Sequence, residues 1–177
     1  ELHRRHMDDI GPDQQRRAAV GDDEACMARG VAGQGPRGDP GRYLGLAREL
    51  KTAGVHMLAI KDMAGVCRPA AIRQLVPALR DETGLPVHFH THDTSGIAAA
   101  SVLAAIEAGV DAVDGAMDAM SGLTSQPNLG AIVEALRDGP RDCAVERDAM
   151  RSLNHYWETV REYYRPFESG IHAGTAD

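Results

Sequence analysis

Cysteine is nearly missing from this chain of 177 residues: Cys26, Cys67 and Cys143 stand far apart, in no redox or metal spacing. A disulfide framework and a cysteine metal cage are therefore excluded, and a reducing compartment suits the composition. A cationic surplus is missing too. With 19 basic residues against 26 acidic ones the net charge is −7, which leaves no basic footprint for nucleic acid. No long apolar run exists; Ile97 to Ile106 is half of what a bilayer span requires and is rich in alanine. No secretory leader is expected. The expectation is one soluble cytoplasmic protein of ordinary domain size, with no nucleic-acid or membrane partner. Lysine is the last scarcity. Of the 19 cationic residues only Lys51 and Lys61 are lysine, so a chain that otherwise uses arginine has kept an amine at position 61.

Residues 1–40 hold no aromatic residue, many Asp and Arg, and six glycines. Their sparse apolar residues follow neither a helical nor a strand period, so they bury too little surface to offset the entropy of ordering them. Disorder is expected there, and His3 and His6 are read as part of a floppy arm rather than as a metal pair.

From Gly41 the pattern becomes regular. Tyr43, Ala47, Leu50 and Ala53 recur at helical spacing, and Gly54 ends that helix. Val55 to Ile60 reads as a strand buried on both faces and closes at Lys61-Asp62. After Pro69, the residues Ile72, Leu75, Val76 and Leu79 form a helical stripe that Gly84 stops. A second strand follows, then a helix capped by Thr94 or Ser95 with Val102, Ala105 and Ile106 inside. Val110 to Met117 reads as a third strand ending at Asp118, and Pro127 opens a helix through Leu136. Helix-end glycines recur every 25 to 30 residues, the length of one βα unit. This alternation implies an α/β fold with a parallel sheet. In such folds chemistry gathers at the carboxyl ends of the strands, where Lys61, the later histidines and Asp118 fall. Five of the seven aromatic residues lie between Tyr156 and Phe167. Leu153, Tyr156, Val160, Tyr163 and Phe167 share one face of a helix that Pro166 ends, as expected for core or subunit contact.

The centre of the sequence is Val87-His88-Phe89-His90-Thr91-His92-Asp93-Thr94-Ser95-Gly96. On a strand, alternate side chains share a face, so His88, His90 and His92 form one row. Neutral imidazole is the commonest metal ligand; the plainer reading is three satisfied polar residues on a half-buried strand. Asp93 either orients a ring by accepting its N–H or caps the next helix. A protonated Lys61 repels a cation. The amine escapes by losing its proton on burial or by taking up carbon dioxide to become an anionic carbamate, and arginine can do neither. Otherwise Lys61 pairs with Asp62 or Asp93 at the strand end. Ser121 to Pro127 either presents hydroxyls and amides to an anion or is a plain loop ahead of a helix cap.

Four ordered motifs carry a resemblance: Ile60-Lys61-Asp62-Met63-Ala64-Gly65; His88 to Gly96; Met120-Ser121-Gly122-Leu123-Thr124-Ser125-Gln126-Pro127; and Tyr156-Trp157-Glu158 through Tyr163-Tyr164 and Phe167-Glu168-Ser169. Together, from about Arg42 to Ala173, they closely resemble the carboxyltransferase domain of pyruvate carboxylase. The resemblance implies a (β/α)8 TIM barrel, of which residues 41–177 supply about three βα units and an aromatic carboxyl-terminal helix. It implies transfer of a carboxyl group from carboxybiotin to pyruvate, giving oxaloacetate, with biotin arriving on a separate carrier domain of a homo-oligomeric enzyme. It also implies a divalent metal, zinc or manganese, held by a carboxylated Lys61, by His90 and by His92, with Lys61 the catalytic position; His88 is not a ligand in the family. The family's aspartate ligand belongs to the first barrel strand, in an Arg-Asp-Ala motif that is expected to be missing from this chain. Three βα units cannot close an eight-stranded barrel, so the chain is expected to be a fragment, inactive alone. The alternatives are the matching subunit of an oxaloacetate decarboxylase or transcarboxylase, and a non-catalytic interaction module.

Overall fold

The structure, a computed structural model, describes residues 40–170 and 173–175. Of residues 1–40, for which disorder is expected, residues 1–39 lie outside that range, while Pro40 already opens a helix. Helix α1 (Pro40–Thr52) buries Tyr43 and Ala47, four residues and one turn apart. Gly54, at φ 85°, turns the chain out of α1 in the left-handed region that glycine adopts without strain. Strand β1 (Leu58–Asp62) follows, then helix α2 (Pro69–Thr83). Proline suits the first turn of α2, where its missing N–H has no intrahelical partner to lose. Gly84, at φ 67°, closes α2 by donating its N–H to the Arg80 carbonyl.

Strand β2 (Val87–Thr91), helix α3 (Ala98–Glu107) and strand β3 (Ala112–Val113) complete a parallel three-stranded sheet in the order β1-β2-β3. The register sets Lys61 beside His90 and Ala59 beside His88, and His88 in turn beside Ala112. One face of this sheet, Leu58, Ile60, Val87 and Phe89, packs on Ile72, Leu75 and Val76 of α2 and Val102 and Ala105 of α3. Burial of each of these large side chains contributes about 1.5–3 kcal/mol.

The opposite face departs from expectation. β1 alternates between buried and half-buried residues instead of being buried on both sides, because the helices in contact with β2 are α2 and α3 and both pack on the same face. The other face carries Ala59, Lys61, His88 and His90, all half-buried. The third strand is also shorter than the apolar run from Val110 to Met117 suggests. Only Ala112 and Val113 pair with β2, and the chain then bends so that Asp118–Met120 forms a 3-10 turn.

The sheet is pinned at its opposite end by Asp111. Its carboxylate accepts the Val87 N–H at 2.8 Å and pairs with Arg80, whose guanidinium also donates to the Gly109 carbonyl at 2.8 Å. Partial burial pushes the Asp111 carboxyl up, but the Val87 N–H and the Arg80 guanidinium outweigh that and hold it below the usual carboxylate value.

Helix α4 (Leu129–Leu136) begins two residues after Pro127 because Asn128 caps it, accepting the Ala131 N–H at 2.7 Å. Helix α5 (Arg147–Tyr164) has no buried residue. Of the two settings expected for its aromatic stripe, core or subunit contact, the core is not the one found: Tyr156 is 59% exposed, Tyr163 75% and Phe167, in the short turn after it, 76%. Pro166 does lie in that terminating turn, Arg165–Phe167.

Candidate metal centre

The carboxyl ends of β1 and β2 meet where Lys61 and His90 are register partners on the half-buried face. His92 lies one residue beyond β2, and its N–H donates to the Asp62 carbonyl at 3.0 Å, which prolongs the parallel ladder. The row His88, His90, His92 read from alternate positions is therefore formed. The three rings have different work, set by their partners.

His90 donates Nδ1–H to Asp114 Oδ2 at 2.6 Å, and His92 donates Nδ1–H to the Thr124 carbonyl at 2.6 Å. Both partners are acceptors only, so each ring keeps its hydrogen on Nδ1. The two Nε2 atoms then face each other at 3.2 Å with the ring planes 72° apart. Two lone pairs aimed at one another repel unless a proton or a cation lies between them. Two imidazole nitrogens about 2.1 Å from a shared zinc-sized ion stand roughly 3.0–3.4 Å apart in octahedral or tetrahedral geometry. The pair fits such an ion. A carboxylate or carbonyl behind each ligating ring is also the usual arrangement in metal sites. Among the described residues no three His, Cys, Asp or Glu side chains form a cage by themselves, so a third ligand drawn from these residues is of another kind. Lys61 stands beside His90 on the neighbouring strand, and among the described residues it has neither of the ion pairs, with Asp62 or Asp93, that its position allowed.

Asp62 points to the other face and is 1% exposed. Its carboxylate accepts the N–H groups of Val66 at 3.1 Å and Cys67 at 2.8 Å, and the Thr91 hydroxyl at 3.0 Å. The turn after Lys61 is thereby laced to the strand that carries His90. Gly65 lies under the same loop at φ 64°, where a Cβ atom would collide with the His92 carbonyl oxygen. Ser95 Oγ donates to the Gly65 carbonyl, closing the stitch. Burial, reinforced by the negative charge of Asp62, pushes the Cys67 thiol up to about 12, so it is an inert core residue.

Two readings left open by the sequence, those of Asp93 and of the Ser121–Pro127 loop, resolve here toward helix cap and plain loop, and the placing of Asp118 is corrected. Asp93 orients no ring: its Oδ1 accepts the Ala98 N–H at 3.1 Å, at the first residue of α3, while Ser95 Oγ accepts the Ile97 N–H at 3.3 Å. Asp118 does not join the histidines. It accepts the Gly130 N–H at 2.9 Å and the Asn154 amide at 2.7 Å, fastening α4 to α5. Two amides of the Ser121–Pro127 loop are spent inside it, Ser125 N–H on Gly122 O and Gly122 N–H on Gln126 O, both at 2.9 Å, and the Ser121 N–H goes to Asp118 O at 3.3 Å. Its contribution is the Thr124 carbonyl. The Arg-Asp-Ala triplet that the sequence does contain, Arg147 to Ala149, opens α5 with the Asp148 side chain 94% exposed. A groove of about 820 Å³ between α4 and α5, lined by Asp118, Glu134, Arg137, Arg147 and His155 among others, contains neither Lys61 nor the three histidines of the row.

Two residues behind the candidate ligands escaped sequence reasoning. Asp114 sits in what reads as an apolar strand, yet it lies one place past the Phe89–Val113 pair and thus beside His90; its spacing of two from Ala112, the strand neighbour of His88, was the available signal. Partial burial pushes the Asp114 carboxyl up, but hydrogen bonds from His90 and His88 outweigh that and leave it below its ordinary value. The Thr124 carbonyl has no side-chain signature at all.

Helix-strand alternation with a polar constellation at the strand ends defines an α/β protein of the TIM-barrel type, represented here by part of a barrel. The HMGL-like family profile matches residues 31–156, and the chain belongs to that family. Within it the chain is similar to pyruvate carboxylases. It is 50% identical over 129 residues to that of Staphylococcus aureus and 44% identical over 158 residues to the mitochondrial enzyme of Homo sapiens. These alignments cover 73% and 85% of this chain but only 11% and 13% of the relatives. The carboxyl transferase domain of Rhizobium etli pyruvate carboxylase with pyruvate superposes with a TM-score of 0.77 at 57% identity, covering 80% of this chain and 24% of that one. The same domain with pyruvate and biocytin gives 0.76 at 58% identity over the same shares of the two chains. Among the described residues no helix is long and apolar enough to cross a membrane.

Proposed function

We propose that this chain supplies part of a carboxyltransferase site at which, in a complete protein, a carboxyl group passes from carboxybiotin to pyruvate to give oxaloacetate. Similarity to carboxyl transferase domains solved with pyruvate and with biocytin supports this substrate pair. Similarity to the pyruvate carboxylases of S. aureus and Homo sapiens favours it over a decarboxylase or transcarboxylase subunit. The full protein would work in the cytoplasm or an equivalent soluble compartment, as a homo-oligomer served by a biotin carrier domain.

One observation carries the site assignment: the Nε2 atoms of His90 and His92 converge at 3.2 Å while both Nδ1 positions are taken. His90 and His92 would hold zinc or manganese, with Lys61, carboxylated on its amine, as the anionic oxygen ligand. When bound, the cation supplies Lewis-acid polarisation of a keto-acid carbonyl. The chain's own part is to keep two imidazole lone pairs aimed at one point and to hold a reactive amine beside them. The Asp62–Thr91 and Gly65–Ser95 contacts tie together the two strand ends that carry these groups and the turns that follow them.

The test is the metal content of the purified chain by elemental analysis, with and without bicarbonate. Stoichiometric zinc or manganese, lost in Lys61→Arg and in His92→Ala, supports the assignment. Equal metal content in wild type and Lys61→Arg would end it, since arginine cannot form a carbamate.

A further inference from the structure

The third histidine of the row has a use that the ligand assignment leaves unexplained. His88 Nε2 lies 2.9 Å from Asp114 Oδ1, while the other oxygen of the same carboxylate, Oδ2, takes the His90 Nδ1–H at 2.6 Å. One carboxylate is thus forked between two rings on one strand, two residues apart. The strand neighbours of His88 on either side are Ala59 and Ala112. Their methyl groups leave the imidazole room to lie along the sheet toward Asp114. A free carboxylate on the short segment after β3 rotates about its side-chain bonds and can offer His90 either oxygen or neither. Held at Oδ1 by a second donor, it presents Oδ2 in one place.

We propose that His88 is a positioning residue: by gripping Asp114 it locks His90 as the Nδ1–H tautomer with Nε2 free to ligate. It touches neither substrate nor metal and acts through the carboxylate. The inference rests on the ligand reading given above but is read out independently of it. The rings at His88 and His90 are 26% and 24% exposed and the Asp114 side chain 40%. Water can therefore compete for the carboxylate as soon as one donor is removed.

The experiment uses the whole metal-free chain and three variants. His88→Phe keeps a ring but has no donor. His88→Gln puts an amide N–H near the position of Nε2, and His88→Asn carries the same amide on a shorter arm that falls short of Asp114. Imidazole nitrogen chemical shifts report the tautomer of His90, and zinc affinity is then measured by competition with a chromogenic chelator. Wild type and His88→Gln should hold His90 as a single Nδ1–H tautomer. His88→Phe and His88→Asn should show mixed tautomers and bind zinc about 10-fold more weakly, the lower end of what loss of an outer hydrogen-bond partner costs. An unchanged His90 tautomer in His88→Phe, or a His88→Gln chain as impaired as His88→Asn, overturns the proposal. Because the tautomer is read without metal, the two readings separate. A wild-type chain that takes up no zinc defeats the ligand assignment, whereas a His90 tautomer that depends on residue 88 still upholds this role.

Discussion

Thr91 donates its hydroxyl to Asp62 at 3.0 Å across the two strands that carry Lys61 and His90. The bond lies on the buried face, one residue along from each candidate ligand, so the two strand ends move together. Removing the acceptor should be expensive. Asp62→Ala orphans the backbone N–H groups of Val66 and Cys67, each costing about 1–3 kcal/mol when left buried and unpaired, and leaves the Thr91 hydroxyl only the His92 carbonyl at 3.2 Å. A loss of roughly 3 kcal/mol or more is expected from urea denaturation of the purified variant. A loss under about 1 kcal/mol would show that the stitch is dispensable.

Gly65→Ala tests the second stitch. A side chain at φ 64° is strained wherever it occurs, and this one would also strike the His92 carbonyl. The expected cost is about 2 kcal/mol or more. It should be accompanied by a change in the His92 ring signals that an equally destabilising core substitution such as Leu75→Ala does not produce.

Stability should fall with acid in a way that one residue partly sets. The Asp111 carboxyl sits below its ordinary value in the folded chain, so it favours folding while it is ionised. That contribution is complete above the unfolded carboxyl value of about 3.9 and disappears as pH falls through the lower folded value. Asp111→Asn should therefore be less stable than wild type at pH 6, with the gap closing toward pH 3. Urea midpoints measured across that range decide the matter; a gap independent of pH would assign the loss to packing instead.

The aromatic residues at the carboxyl end should matter little to the folded chain itself. With Tyr163 75% and Phe167 76% exposed, Tyr163→Ser and Phe167→Ser should each change stability by less than about 0.5 kcal/mol. A larger drop that grows with protein concentration would mean that copies of the chain cover the stripe.

Much of this was legible before any coordinates. Period-2 spacing put three histidines on one face, and helix-ending glycines marked out the βα units. The limits of legibility have physical causes. An apolar run records burial, not pairing, so Val110 to Met117 looked like a long strand although only two of its residues find β2. A helical stripe records amphipathicity, not a partner, so the aromatic face of α5 could not be placed. Asp93 and Asp118 occupy strand ends as functional acids do, yet each is consumed by a nearby helix start. Asp114 was hidden among alanine, valine and glycine, and only the register across strands reveals what it faces.

The tether on His92 is a main-chain oxygen. Substituting Thr124 changes its side chain and leaves that oxygen where it was, so a mutational scan of the loop will be silent at the very residue that holds the ring. Its importance would surface only through edits that reroute the backbone, such as a deletion within the loop or replacement of Leu123, whose φ of 52° sets the direction in which the neighbouring carbonyl looks.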